Sequence, residues 1–271
     1  MFLQMLGSVR GQSYDHIEHI IVDGASTDGT TELLKERGCN FISEPDRGIY
    51  DALNKGYKMA GGDYIGILNT DDFYHDPDGI KAVAAKLGET RPDYLYTGIL
   101  IMEDDPEKPK IMSPLLNELL LRMALPHPGL FIKNNVVREL GYYDQNFKIA
   151  GDYDLTLRMF MSGKYTGVEL PGQYMTYRMI GISSICLSET EEEVKMVYEK
   201  NYRPILPSGL DPEQISKNGS LPLALCLALW RKTAVPGNMI LKYMMRESRR
   251  KFTRFRRRIK AALKALWKNQ G

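Results

Sequence analysis

Apolar positions along the first hundred residues change period repeatedly, and each change marks an element. His16–Gly24, HIEHIIVDG, condenses into a continuous apolar run at Ile20–Val22 and stops at an acid and a glycine, the form of a central parallel strand. A polar loop, ASTDGT, leads into a short helical segment, TELLKER, with Gly38 placed to cap it. NFISEP, Asn40–Pro45, reads as the next strand. DRGIYDALNKGYKMAGG then sets Ile49, Ala52, Leu53 and Ala60 on one helical face, and Gly61 and Gly62 end it. GDYIGILNTDDFY, Gly62–Tyr74, is an apolar strand that runs into two adjacent aspartates. DPDGIKAVAAKLG spaces Ile80, Val83, Ala84 and Leu87 as a helix before Gly88.

Three rounds of strand and helix predict an α/β fold, a mostly parallel sheet flanked by helices, with ligands bound beyond the carboxyl ends of the strands. Asp23, Glu44, Asp46, Asp71 and Asp72 all fall at such ends. Two carboxylates side by side at a buried strand end repel each other unless something neutralises them. A divalent cation, manganese or magnesium, does so, since it is commonly held by one or two carboxylates together with the phosphates of a substrate. Gly48, in DRG ahead of a helix, lets the backbone approach closely where exposed amides attract phosphate; a plain turn glycine is the alternative.

Composition narrows the class. The chain has 271 residues, 43% of them apolar, enough for a sizeable core. Cys39, Cys186 and Cys226 lie at wide, unpatterned spacing and form neither a disulfide framework nor a zinc signature. No window approaches the roughly 18 to 20 apolar residues needed to cross a bilayer, and the nearest, Leu221–Trp230, is short and contains Pro222. The expected location is cytoplasmic.

Charge divides the chain. The net charge is +2, yet residues 242–268 hold twelve basic residues against Glu247 alone, so an acidic remainder of −9 carries a segment of +11. On a helical wheel Leu241, Met244, Met245, Phe252, Phe255, Ile259, Leu263 and Leu266 share one arc of that segment. A basic amphipathic helix of this kind suits an anionic membrane surface, here the inner face of the cell membrane; packing on the body is the alternative. A nucleic-acid partner is disfavoured, because the segment contains no recognised binding module and belongs to an acidic body.

IIVDGASTDGT, SEPDRGIYDALNKG and GDYIGILNTDD, in that order, resemble the nucleotide-binding half of family-2 glycosyltransferases, inverting enzymes with an A-type, Rossmann-like fold. His127–Arg158, HPGLFIKNNVVRELGYYDQNFKIAGDYDLTLR, resembles their acceptor half. The resemblance extends to about Ser184. It implies a catalytic domain over 1–205, nucleotide-binding in 1–98 and acceptor-binding in 99–205, followed by a helical basic extension over 206–271. Asp23 would accept a hydrogen bond from the base or ribose, with Asp46 and Gly48 lining the same pocket. Asp72 would ligate the metal and Asp71 would lie nearer the ribose. Asp152 would be the general base, and His127 would contact the diphosphate or the acceptor. Asp154, two residues on, reads as a cap or surface acid.

The implied chemistry is a one-step displacement at the anomeric carbon. It requires a carboxylate to take the acceptor proton and a cation to stabilise the departing diphosphate, but no covalent nucleophile. The donor would be a nucleotide diphosphate sugar, uridine by default, and the acceptor a glycan, lipid-linked in cell-surface polysaccharide synthesis. Two other readings compete: a nucleotidyltransferase, which lacks its usual glycine-rich loop here, and a degenerate transferase serving as a membrane scaffold.

Three departures from the family stand out. Family members open with an apolar strand, whereas Phe2, Met5, Leu6 and Val9 already read as a helix; the first strand is expected to be missing, through an upstream start or truncation. Gly151 stands where Glu is common. RMIGISS, Arg178–Ser184, has Ile180-Gly181 where two glycines are frequent.

Overall fold

The computed structural model describes residues 1–103, 108–179, 186–206, 215, 221–233, 235–237 and 239–245. The basic segment beyond 245 and Ile180–Ser184 lie outside the described residues.

The first half alternates as its periodicity predicts: α1 (Phe2–Arg10), β1 (Ile20–Asp23), α2 (Thr30–Glu36), β2 (Asn40–Ser43), α3 (Ile49–Met59), β3 (Tyr64–Gly66), β4 (Phe73–Tyr74) and α4 (Gly79–Thr90). The second half contributes β5 (Tyr94–Met102), β6 (Lys110–Met112), β7 (Leu130–Lys133), α5 (Asn134–Glu139), α6 (Gly151–Ser162), β8 (Gly167–Arg178), α7 (Leu187–Tyr202) and α8 (Leu223–Lys232). β1 and β2 form one parallel pair, and the larger sheet runs β3-β7-β5-β8-β4, with β6 on β5.

The fold is α/β as expected, but the sheet is not mostly parallel. Only β1·β2 and β5·β8 pair in parallel; β3·β7, β4·β8, β5·β6 and β5·β7 are antiparallel. The reason is topological. β3 finds its partner in residues 130–133, past the region where strand and helix alternate, so local periodicity carries no information about its direction.

β1 and β3 are not paired with each other. They face across a cavity of about 1510 Å³, with Ile20–Val22 on one side and Tyr64–Gly66 on the other. The helices turn apolar side chains towards it: Met5 and Val9 from α1, Val83 and Leu87 from α4. In α3 the buried residues are Tyr50, Asn54 and Tyr57 and Ile49 is 45% exposed; Tyr50 and Tyr57 line the cavity together with Ile49, Ala52 and Leu53. Each flanking strand has one edge bonded and one edge free among the described residues. The amides of Ile20–Val22 and Tyr64–Gly66 are therefore expected to exchange with solvent faster than those of Tyr94–Tyr96, which sit in a strand paired on both edges. Equal protection in a hydrogen-exchange experiment would show that the cavity closes in solution.

The principal core lies in the second half. Tyr153 of α6 and Tyr198 and Tyr202 of α7 are fully buried, and their hydroxyls donate to the carbonyls of Leu119 (3.0 Å), Leu121 (2.5 Å) and Leu120 (2.7 Å). Burying a tyrosine stabilises only if its hydroxyl is satisfied, and these three bonds also fix the segment leading to His127. Leu225 and Leu229 of α8 join the same core.

Candidate active site

Strand ends and one helix start bring the acids together. Asp71 and Asp72 follow β3, His127 precedes β7, and Asp152 lies in the first turn of α6. The cavity that separates β1 from β3 extends to this end and is lined there by Asp71, His127, Lys148 and Asp152. Asp23, Asp46, Gly48 and Asp72 lie outside its lining.

Asp23 is heavily engaged. Ser26 donates through its amide (2.9 Å) and its hydroxyl (2.5 Å), and the Ser43 hydroxyl donates at 2.6 Å. Burial acts to raise its pKa, but these donors hold the carboxyl below its ordinary value. Asp23 therefore organises the loop after β1 as well as ending the strand. Asp46 accepts the amide of Gly48 at 2.9 Å, and Gly48 adopts a φ of 118°, which favours glycine.

The aspartate pair is arranged differently from the expectation. Asp72, expected as the metal ligand, is fully buried, accepting from the Arg178 amide at 3.1 Å and from Asn69 at 3.5 Å. Burial, then the charge of Asp71, push its pKa up to about 7, against the pull of the Arg178 amide. Asp71 is the half-buried member that lines the cavity. Arg178, at the end of β8, braces the turn: it donates to the Asp71 carbonyl and, at 2.6 Å, to Gln4 of α1, and its guanidinium lies 4.7 Å from the Phe73 ring centre. Among the described residues no three acidic, histidine or cysteine groups converge as a complete metal cage. The donor chemistry fits a hard divalent cation that takes one or two carboxylates and completes its shell from a diphosphate.

Asp152 and His127 both line the cavity and lie close enough to influence each other's charge. Burial raises the pKa of Asp152, with His127 opposing, and burial lowers that of His127, with Asp152 opposing. The His127 Nε2 lies 3.3 Å from the Tyr143 hydroxyl. Tyr50 of α3 stacks on Tyr143 at 5.5 Å and donates to the Ile149 carbonyl at 2.6 Å. A Cβ on residue 151 would meet the Tyr50 ring at 2.7 Å, which explains glycine at that position. Tyr50, Tyr143 and Arg178 escape sequence reasoning, because their partners lie far away along the chain and leave no local periodic signal. Asp154 is not a surface acid: it is fully buried and bonded to Arg158, Lys200 and Asn201.

The architecture is an α/β fold whose cavity is lined by Asp71 and Asp152, and the comparisons identify the family. The profile of Glycosyl transferase family 2 matches residues 1–139, and the chain belongs to that family. A PGL/p-HBAD biosynthesis glycosyltransferase of Mycobacterium bovis is 29% identical over 161 residues, covering 57% of this chain and 62% of that protein. An uncharacterized glycosyltransferase of Mycobacterium tuberculosis is 34% identical over 160 residues, 56% of this chain and 60% of its own length. The chain thus spans less than two thirds of these relatives. Among solved structures, S. aureus TarS 1-349 in complex with UDP-GlcNAc superposes with a TM-score of 0.60 at 18% identity, over 80% of this chain and 66% of that one. The mannosyltransferase PcManGT from Pyrobaculum calidifontis, in complex with GDP-Man and Mn2+, gives 0.59 at 17% identity, over 91% and 71%. At such identities the likeness shows the fold.

Proposed function

We propose that the chain transfers a sugar from a nucleotide diphosphate sugar to an acceptor hydroxyl with inversion at the anomeric carbon. The observation that carries this reading is that Asp71, His127 and Asp152 line one cavity of a chain in this family. Asp152 accepts the proton of the attacking hydroxyl as the new glycosidic bond forms and the bond to the diphosphate breaks. His127, neutral, orients the acceptor or the diphosphate by hydrogen bonding. Asp71 contacts the ribose or the cation, and Asp72, buried beneath it, fixes the turn through the Arg178 amide. A divalent cation held by this pair would stabilise the negative charge that develops on the leaving diphosphate. Asp23, Asp46 and Gly48 shape the nucleotide side.

UDP is the default donor nucleotide, in keeping with the UDP-GlcNAc bound by TarS, and GDP is the alternative, bound as GDP-Man by PcManGT. A lipid-linked glycan acceptor in surface polysaccharide synthesis, reached from the inner face of the membrane, accords with the basic amphipathic pattern of 242–268. The exposed Leu223 and Trp230 of α8 add apolar surface near that segment in sequence.

Thermal unfolding with UDP, GDP or dTDP, with and without manganese, tests the donor site. Ligand at about a hundred times its Kd is expected to stabilise by about 2.7 kcal/mol and raise the midpoint by several degrees. The increase should require manganese together with one nucleotide. No increase with any combination would favour the scaffold reading, for which the open cavity between β1 and β3 is the supporting observation.

A further inference from the structure

We infer that Glu193 is a positioning residue for the catalytic carboxylate, acting from α7 on the backbone that carries Asp152; the inference rests on the transfer reading above. The carboxylate of Glu193 accepts three consecutive backbone amides: Lys148 on Oε1 and Ile149 and Ala150 on Oε2, each at 2.8 Å. These residues lead directly into α6, whose second residue is Asp152, and α6 has no side-chain cap of its own. Amides at a helix start need acceptors, and an anion there is favoured by the helix dipole. Here the acceptor comes from another helix, so the start of α6 is tied to α7.

The same stretch is held from its other side. Tyr50 takes the Ile149 carbonyl at 2.6 Å and places its ring against Gly151, leaving no room for a Cβ. Glu193 and Tyr50 thus grip opposite polar faces of one peptide segment. That grip fixes part of the cavity lining, because Lys148 and Ile149 line the cavity with Asp152. Glu193 itself does not line the cavity, so its effect on chemistry passes through the backbone. A general base must sit within hydrogen-bond reach of the proton it takes, and a displacement of about 1 Å lowers rate by about a hundredfold.

The test compares Glu193→Ala and Glu193→Gln in the full chain, measuring kcat, donor KM, thermal midpoint and amide exchange at Lys148–Ala150. For Glu193→Ala, kcat is expected to fall about 10- to 100-fold, with donor KM within about threefold of wild type and faster exchange at the three amides. Glu193→Gln, which retains one acceptor oxygen, is expected to recover part of kcat. Unchanged kcat in an active Glu193→Ala protein would overturn the inference, as would a parallel loss of kcat, donor binding and midpoint in both variants. A wild-type chain that transfers no sugar would instead overturn the transfer reading, which separates the two failures.

Discussion

Replacing Asp152 by Asn is expected to lower kcat for sugar transfer by about 10²- to 10⁴-fold, the usual contribution of a positioned general base, while nucleotide binding persists. The side chains are close in shape, so the change removes the proton acceptor with little repacking. Stability should not suffer. Burial raises the pKa of Asp152 in the folded chain, and a carboxyl with a raised folded pKa contributes stability below its unfolded value that diminishes as pH rises through the folded one. Above that folded pKa the ionised carboxylate is therefore a net cost to folding, which the amide avoids. The thermal midpoint of the variant should match or exceed that of wild type. The wild-type rate should also show an acid limb above the ordinary carboxylate range, because the active form is deprotonated and is lost as pH falls. Full activity in the variant would remove Asp152 from the mechanism.

The contrast between the two halves of the chain explains what could be read from sequence. Strands and helices up to Thr90 follow apolar periodicity, and nearly every one forms where the pattern places it. Pairing direction was not legible, because β3, β4 and β5 bond to strands contributed by residues 110–178. Periodicity identifies an apolar stripe but not what covers it: in α3 Ile49 stays exposed, whereas Leu53 packs against the core that holds Tyr50 and Tyr57. Asp71, His127 and Asp152 line one cavity, and for that candidate site only residue types were legible. Their division of labour was not, since which aspartate of a pair is buried depends on the amide of Arg178, more than a hundred residues away.

Asp154→Ala is expected to have the opposite profile to Asp152→Asn: transfer by the folded fraction is retained, and stability is lost. Two residues from the proposed base, Asp154 has a fully buried side chain and receives Arg158 at 2.8 Å, Lys200 at 2.9 Å and Asn201 at 2.9 Å. Arg158 and Lys200 make further bonds, to the carbonyls of Leu140 and Tyr142 and to Asp144, so the acid is the hub that joins α6 to α7. Removing one partner of a buried ion pair leaves charge uncompensated and typically costs about 3 to 5 kcal/mol. The low end applies, because the Lys200 side chain is 38% exposed and water can serve it. A loss of about 3 kcal/mol should lower the midpoint by roughly 6 to 12 °C in a chain of this size. Calorimetry at neutral pH measures it, and a loss below about 1 kcal/mol would mean that water replaces the carboxylate. A helix can therefore carry a functional acid at one position and a structural acid two residues later, because successive side chains point to different surroundings: Asp152 to the open cavity, Asp154 to the α6–α7 interface.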